Sequence, residues 1–135
     1  MKIEALEDVT VRFSGDSGDG MQLAGNIFST ISATAGNDIS TFPDYPADIR
    51  APQGTLTGVS GFQVNLGSGV FTPGDKADVI VAMNAAALKV CTLGSKFNVA
   101  GATYNTNDSM YKENAVVIVD TDSFTKKDLE KALYQ

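Results

Sequence analysis

The sequence predicts an α/β fold built on a mainly parallel sheet flanked by helices, in a single domain. Three observations carry that expectation. Two short runs, Ala77 to Met83 (ADVIVAM) and Ala115 to Val119 (AVVIV), are almost continuously apolar, as strands buried on both faces are. A β-rich run, Val9 to Phe13 (VTVRF), leads through glycines into a helical pattern. Strand and helix signals then alternate along 135 residues, a length that suits one domain.

The elements follow in order. Val9 to Phe13 is the first strand, and Met21 to Ala35 the first helix, with Leu23, Ile27, Ile31 and Thr34 near helical spacing as its expected buried stripe. Gly36-Asn37 stops the helix, and Asp38 to Phe42 favours a second strand. Pro43, Pro46 and Pro52 then interrupt regular structure. Gly58 to Leu66 alternates apolar Phe62, Val64 and Leu66 with polar neighbours, the pattern of a half-buried strand. Thr72-Pro-Gly-Asp75 is a turn before the strand at Ala77 to Met83. Asn84 is placed to cap a helix through Ala85 to Leu88, and Thr125 to Leu133 reads as a short final helix. Lys96 to Asn114 is polar, asparagine-rich and without a period; a small hairpin is one of the structures open to it.

Composition excludes several function classes. The chain has no histidine, one cysteine (Cys91) and a net charge of −6. Histidine acid–base chemistry, an all-cysteine zinc site, an internal disulfide and an iron–sulfur ligand set are therefore outside its means. The negative charge and the lack of a basic cluster disfavour nucleic acid as a partner. No apolar run approaches the ~20 residues that span a bilayer, and Met1 to Thr10 is no secretory signal. A cytoplasmic protein with no membrane partner is the expectation, with Cys91 a reduced thiol.

The glycine-rich loop, Gly15-Asp16-Ser17-Gly18-Asp19-Gly20, lies between strand and helix and aims backbone N–H groups at a helix N-terminus, where a phosphate or carboxylate binds well. Its G-x-x-G-x-G spacing is neither the dinucleotide fingerprint nor a Walker A loop. Asp16 and Asp19 oppose an anion. Either the carboxylates turn away, or the loop meets a hydroxyl, an amine or a cation such as Mg2+. A tight turn without a ligand is the simpler alternative. Between Phe13 and Asp75 the only basic residue is Arg50, against six acids. Arg50 suits bidentate binding of a carboxylate or phosphate, or an ion pair with Asp44 or Asp48. Tyr45, Ile49 and Leu56 give the same loop apolar anchors for an interface.

Four ordered segments resemble a known family. They are Phe13-Ser-Gly-Asp-Ser-Gly-Asp-Gly-Met-Gln-Leu-Ala-Gly25, Phe42-Pro-Asp-Tyr-Pro-Ala-Asp-Ile-Arg-Ala-Pro-Gln-Gly-Thr55, Gly58-Val-Ser-Gly-Phe-Gln-Val64 and Val81-Ala-Met-Asn84. Together they resemble the γ-type domain of 2-oxoacid:ferredoxin oxidoreductases. The nearest branch is the one in which this domain begins the α subunit of 2-oxoglutarate oxidoreductase. Gly15, Gly18 and Gly20 match the family's glycines, while Ser17 and Asp19 replace a glycine and a glutamine. Arg50 matches the family's arginine.

The resemblance implies a Rossmann-like domain over residues 1–135, cut short at its C-terminus. It implies a share in oxidative decarboxylation of a 2-oxoacid, 2-oxoglutarate on the branch resemblance, to acyl-CoA with electrons passed to ferredoxin. Coenzyme A would be the co-substrate, with Gly15, Asp16, Ser17, Gly18, Asp19, Gly20, Arg50 and Asn84 as its contacts and no catalytic residue in this chain. Thiamine diphosphate, iron–sulfur clusters and Mg2+ would be held elsewhere, by the thiamine-binding α domain and the β subunit. The alternatives are a pure assembly module and a free-standing nucleotide-binding domain in which Asp44 contacts a ribose.

Overall fold

The computed structural model describes residues 3, 5–16, 18–44, 59–73, 75–85, 87–88, 96–99, 102–105, 111–120, 122 and 125–126. In chain order the elements are β1 (Val9–Asp16), α1 (Met21–Thr34), β2 (Ile39–Asp44), β3 (Val59–Leu66), β4 (Ala77–Ala82), β5 (Lys96–Val99), β6 (Ala102–Asn105) and β7 (Tyr111–Val119). Five strands form one sheet in the order β2-β3-β1-β4-β7, and β5 pairs with β6 in a separate two-stranded ribbon.

The α/β class and the mainly parallel sheet hold: β1, β2, β4 and β7 run the same way, and β3 alone is reversed, which makes the sheet a mixed one. β1, β4 and β7 are parallel neighbours, whereas β3 runs antiparallel to both β1 and β2. The physical reason is legible in composition. β4 carries the near-continuous apolar run of a central parallel strand and β7, at the sheet edge, ends in another, while β3 alternates, as antiparallel strands do. Pro43 lies in β2, the outer strand, where a missing N–H costs no ladder bond on the open side. The polar 96–114 stretch holds the β5–β6 hairpin, and β7 begins at Tyr111, four residues before the expected Ala115.

β3's alternation has an unexpected partition. Phe62 and Val64 are buried, as expected, but so are Gln63 and Asn65 on the other face. The Gln63 Nε2 donates to the Asn65 Oδ1 at 3.0 Å and to the Thr72 carbonyl at 2.9 Å, while the buried Gln63 Oε1 and Asn65 Nδ2 have no hydrogen-bond partner. The aliphatic core sits farther along the same face. Ile80 and Ala82 of β4 pack there with Ala87 and Leu88, and Val117, Val119 and Tyr111 close the cluster.

α1 lies across the opposite face, over β1, β3 and β2. Here the expectation from spacing fails. Leu23, Ile27 and Ile31 are 64%, 51% and 64% exposed, and the helix buries Met21, Gly25 and Ser32 instead. Shape decides this. Gly25 lies directly against the Phe62 ring, so close that any Cβ there would collide with it, and Phe28 meets Phe13 at a 60° tilt with centroids 5.5 Å apart. Two sheet phenylalanines supply the bulk, so the helix approaches with its small side.

Among the described residues no helix is long and apolar enough to cross a membrane.

Candidate functional site

The site stands where three parallel strands end. Asp16 closes β1, Met83 and Asn84 follow β4, and Asp120 follows β7; with Asp19 they line an open cavity of about 300 Å3. The carboxyl ends of parallel strands in an open α/β sheet are where ligands bind, because helix N-termini and loops converge there.

The loop after β1 is built by its own polar groups. The Asp19 N–H donates to the Asp16 carbonyl at 3.0 Å, closing a turn. In return the Asp16 N–H donates to the Asp19 Oδ2 at 2.8 Å. Gly18 and Gly20 take φ of 106° and 76°, the left-handed backbone that glycine adopts at little cost. Gly20 is the N-cap of α1 and, lacking a side chain, supplies no capping bond, so the first-turn N–H groups of α1 keep their donor capacity.

Asn84 joins both halves of the site. Its Oδ1 accepts the Ala87 N–H at 2.8 Å, capping the turn after β4 as the sequence predicts. Its Nδ2 donates to the Asp19 Oδ2 at 3.3 Å, across the cavity from one strand end to the next. The Met83 N–H donates to the Ser14 carbonyl at 3.0 Å, extending the β1–β4 pairing up to the rim. The buried Oδ1 of Asp16 has no hydrogen-bond partner.

Chemically the site has two unlike sides. One is an acceptor wall of Asp16, Asp19 and Asp120, which favours groups bearing N–H or O–H. The other follows Asp19 in the chain, outside the cavity lining: the uncapped start of α1, which favours an anion. Among the described residues no group of three Asp, Glu or Cys is arranged to hold a metal ion.

The structure brings together Gly15, Asp16, Gly18, Asp19, Gly20 and Asn84 of the expected residues. Ser17 and Arg50 lie outside the described residues, as do Tyr45, Ile49, Leu56 and Cys91. Sequence reasoning missed Asp120. Its signal was there: an acid directly after an apolar parallel strand falls at the ligand-binding end of the sheet.

With this geometry in place, residues 10–133 match the family described as pyruvate ferredoxin/flavodoxin oxidoreductase. The chain belongs to that family. It is 47% identical over 132 residues to the 2-oxoglutarate oxidoreductase subunit KorA of Mycobacterium tuberculosis, an alignment covering 97% of this chain and 18% of the relative. The chain thus spans under a fifth of that relative's length.

Solved structures share its fold. The gamma subunit of a keto/oxoacid ferredoxin oxidoreductase from Geobacter sulfurreducens aligns with a TM-score of 0.55 at 23% identity, over 85% of this chain and 51% of that one. Pyruvate oxidoreductase subunit PORC from Thermotoga maritima aligns with a TM-score of 0.58 at 17% identity, over 93% and 57%. A 2-oxoglutarate:ferredoxin oxidoreductase from Magnetococcus marinus, solved with 2-oxoglutarate, coenzyme A and succinyl-CoA bound, aligns with a TM-score of 0.53 at 21% identity, over 85% and 20%.

Proposed function

We propose that this chain forms the coenzyme A-side domain of a 2-oxoacid:ferredoxin oxidoreductase, with 2-oxoglutarate as the oxoacid, acting in the cytoplasm. The observation that carries the reading is the acceptor-lined cavity at the ends of β1, β4 and β7, next in the chain to the uncapped start of α1. It suits a ligand with an anionic part and a part rich in N–H and O–H donors. Coenzyme A has both: phosphates at one end, and an adenine amino group, hydroxyls and pantetheine amides along its length.

The division of labour follows from charge. Asp16, Asp19 and Asp120 repel phosphate, so they take donor groups, and the unpartnered Asp16 Oδ1 is the first acceptor available. The N–H groups at the start of α1 take phosphate, and Arg50, which lies outside the described residues, is the cation proposed to join them. The identity to a 2-oxoglutarate oxidoreductase subunit supports the choice of oxoacid. Decarboxylation and electron transfer fall to thiamine diphosphate, Mg2+ and iron–sulfur clusters held by a thiamine-binding α domain and a β subunit, with ferredoxin as acceptor. One cysteine in this chain fits no cluster, and no step is assigned to its residues beyond binding and positioning.

Steady-state kinetics of the assembled oxidoreductase test the reading. Arg50→Ala and Asp16→Asn are each expected to raise KM for coenzyme A about tenfold, as loss of one charged hydrogen bond does, with KM for the oxoacid unchanged. An unchanged KM for coenzyme A in both variants overturns it.

Subunit assembly is the second role proposed for the domain. The Tyr45 and Ile49 anchors named for it lie outside the described residues, and their substitution is expected to lower the yield of assembled complex.

A further inference from the structure

The amide of Asn84 is engaged at both ends within the chain. Its Oδ1 accepts the Ala87 N–H at 2.8 Å, and its Nδ2 donates to the Asp19 Oδ2 at 3.3 Å. A carboxamide offers one acceptor oxygen and one NH2 group, so each has a partner before any ligand arrives. The family resemblance counts Asn84 among the coenzyme A contacts; its bonding fits a different task.

The two ends differ in what they hold. On the Oδ1 side stands the core. Ala87 and Leu88 are 0% and 1% exposed and belong to the aliphatic cluster with Ile80 and Ala82. The Asn84 carbonyl accepts the Leu88 N–H at 3.1 Å, and Met83, one residue earlier, is bonded to Ser14 of β1. Asn84 is therefore anchored to the most buried part of the molecule. On the Nδ2 side stands the loop after β1, where Gly18, Asp19 and Gly20 are all exposed. An exposed turn with few buried contacts opens at low cost unless something ties it down.

Asn84 ties it at a branch point. The same Asp19 Oδ2 accepts the Asp16 N–H at 2.8 Å, and the Asp19 N–H closes the turn on the Asp16 carbonyl at 3.0 Å. A path of hydrogen bonds thus runs from the core through Asn84 and the Asp19 carboxylate to the backbone of Asp16. The buried Oδ1 of Asp16, at the end of that path, has no partner within the chain. Hydrogen bonds to a carboxylate are stronger than those between neutral groups, and two converge on this one oxygen.

We propose that Asn84 is a positioning residue, which acts through Asp19 and sets the Asp16 carboxylate for ligand. It rests on the coenzyme A reading only for the name of that ligand. Asparagine supplies at once the oxygen that Ala87 needs and a donor that reaches Asp19. Serine would still cap the Ala87 N–H, but its side chain ends a bond short of Asp19. Aspartate would cap it too, but has no proton to give and sets another negative charge against Asp19, in a cavity that Asp16 and Asp120 already line.

Kinetics, hydrogen–deuterium exchange and melting of the assembled oxidoreductase test this. Asn84→Ser is expected to melt as the wild type does, because the turn keeps its cap. Its KM for coenzyme A should rise about fivefold, with kcat and KM for the oxoacid unchanged. Exchange over residues 13–21 should quicken, and exchange over Ala77–Ala82 of β4 should stay the same. Asn84→Asp should act in the same sense and more strongly, about tenfold in KM. Beside Asp19→Ala, Asn84→Ser should add nothing, since the group it acts through is gone.

Unchanged exchange over residues 13–21 in both Asn84 variants overturns the proposal. So does an unchanged KM for coenzyme A in both where Asp16→Asn raises it. An Asn84→Ser effect on KM that persists in full beside Asp19→Ala also overturns it, by making Asn84 a direct ligand contact. If Arg50→Ala and Asp16→Asn both leave that KM unchanged, the coenzyme A reading fails, and the exchange comparison, which needs no ligand, still decides the role of Asn84.

Discussion

The two sides of α1 reverse the usual arrangement. The side against the sheet carries Gly25, Met21, Phe28 and Ser32, while the side away from it carries Leu23, Ile27 and Ile31. Hydrophobicity alone would turn the helix the other way. The inner side is chosen by fit: Phe62 needs the space that only Gly25 leaves, and close packing of large ring against bare backbone outweighs the area gained by burying three aliphatic chains. The lesson is that a helix with two candidate stripes is oriented by its partner's shape.

The strongest way to break the inner side is Phe28→Ala. It removes the Phe13 ring contact and opens a void, and should cost about 3 kcal/mol, the lower end of the Phe→Ala range because the ring is only half-buried. A fall in the urea midpoint with unchanged slope checks this. Gly25→Ala comes next and separates two effects. Alanine raises helix propensity by about 1 kcal/mol, but its Cβ meets the Phe62 ring, and overpacking costs about 1–3 kcal/mol. A net loss of about 1 kcal/mol is expected in urea unfolding; a gain would show that the helix can lift off Phe62 freely.

On the outer side, Leu23→Gln and Ile31→Gln should change the stability of the chain by no more than about 0.5 kcal/mol, because both are already in water. A larger loss in thermal unfolding would mean that the stripe has a contact within its own chain.

The smallest effect is a pH dependence far from α1. The Thr72 N–H donates to Asp75 at 2.7 Å and the Thr72 hydroxyl at 2.8 Å, and these bonds hold the Asp75 carboxyl below its usual value of 3.8. A lowered folded-state pKa gives stability that is full above the unfolded value and is lost as pH falls through the folded one. Asp75→Asn should therefore flatten the acid limb of a stability–pH profile below about pH 4, slightly, since the group is exposed.

The sequence carried much of the site and less of the packing. Asp16, Gly18, Asp19, Gly20 and Asn84 were legible because each does a local job: a positive φ, a turn bond, a helix cap. Asp120 was harder to single out because its role depends on β7 lying beside β4, a pairing between residues far apart in the chain. The antiparallel β3 and the buried Gln63 and Asn65 were legible only in part. Alternation predicts two unlike faces but not that both are covered.

The strands β1, β2, β3, β4 and β7, the helix α1, the strand–glycine–helix loop and the restricted chemistry of a chain without histidine were determined by the sequence alone, while residues 127–133 of the expected final helix lie outside the described residues. Backbone geometry and side-chain inventory are local properties. The order of strands, the face α1 presents and the meeting of Asp16, Asn84 and Asp120 at one rim were decided by the tertiary structure. Those depend on which surfaces fit one another, and fit is a property of pairs of elements that no single stretch of chain contains.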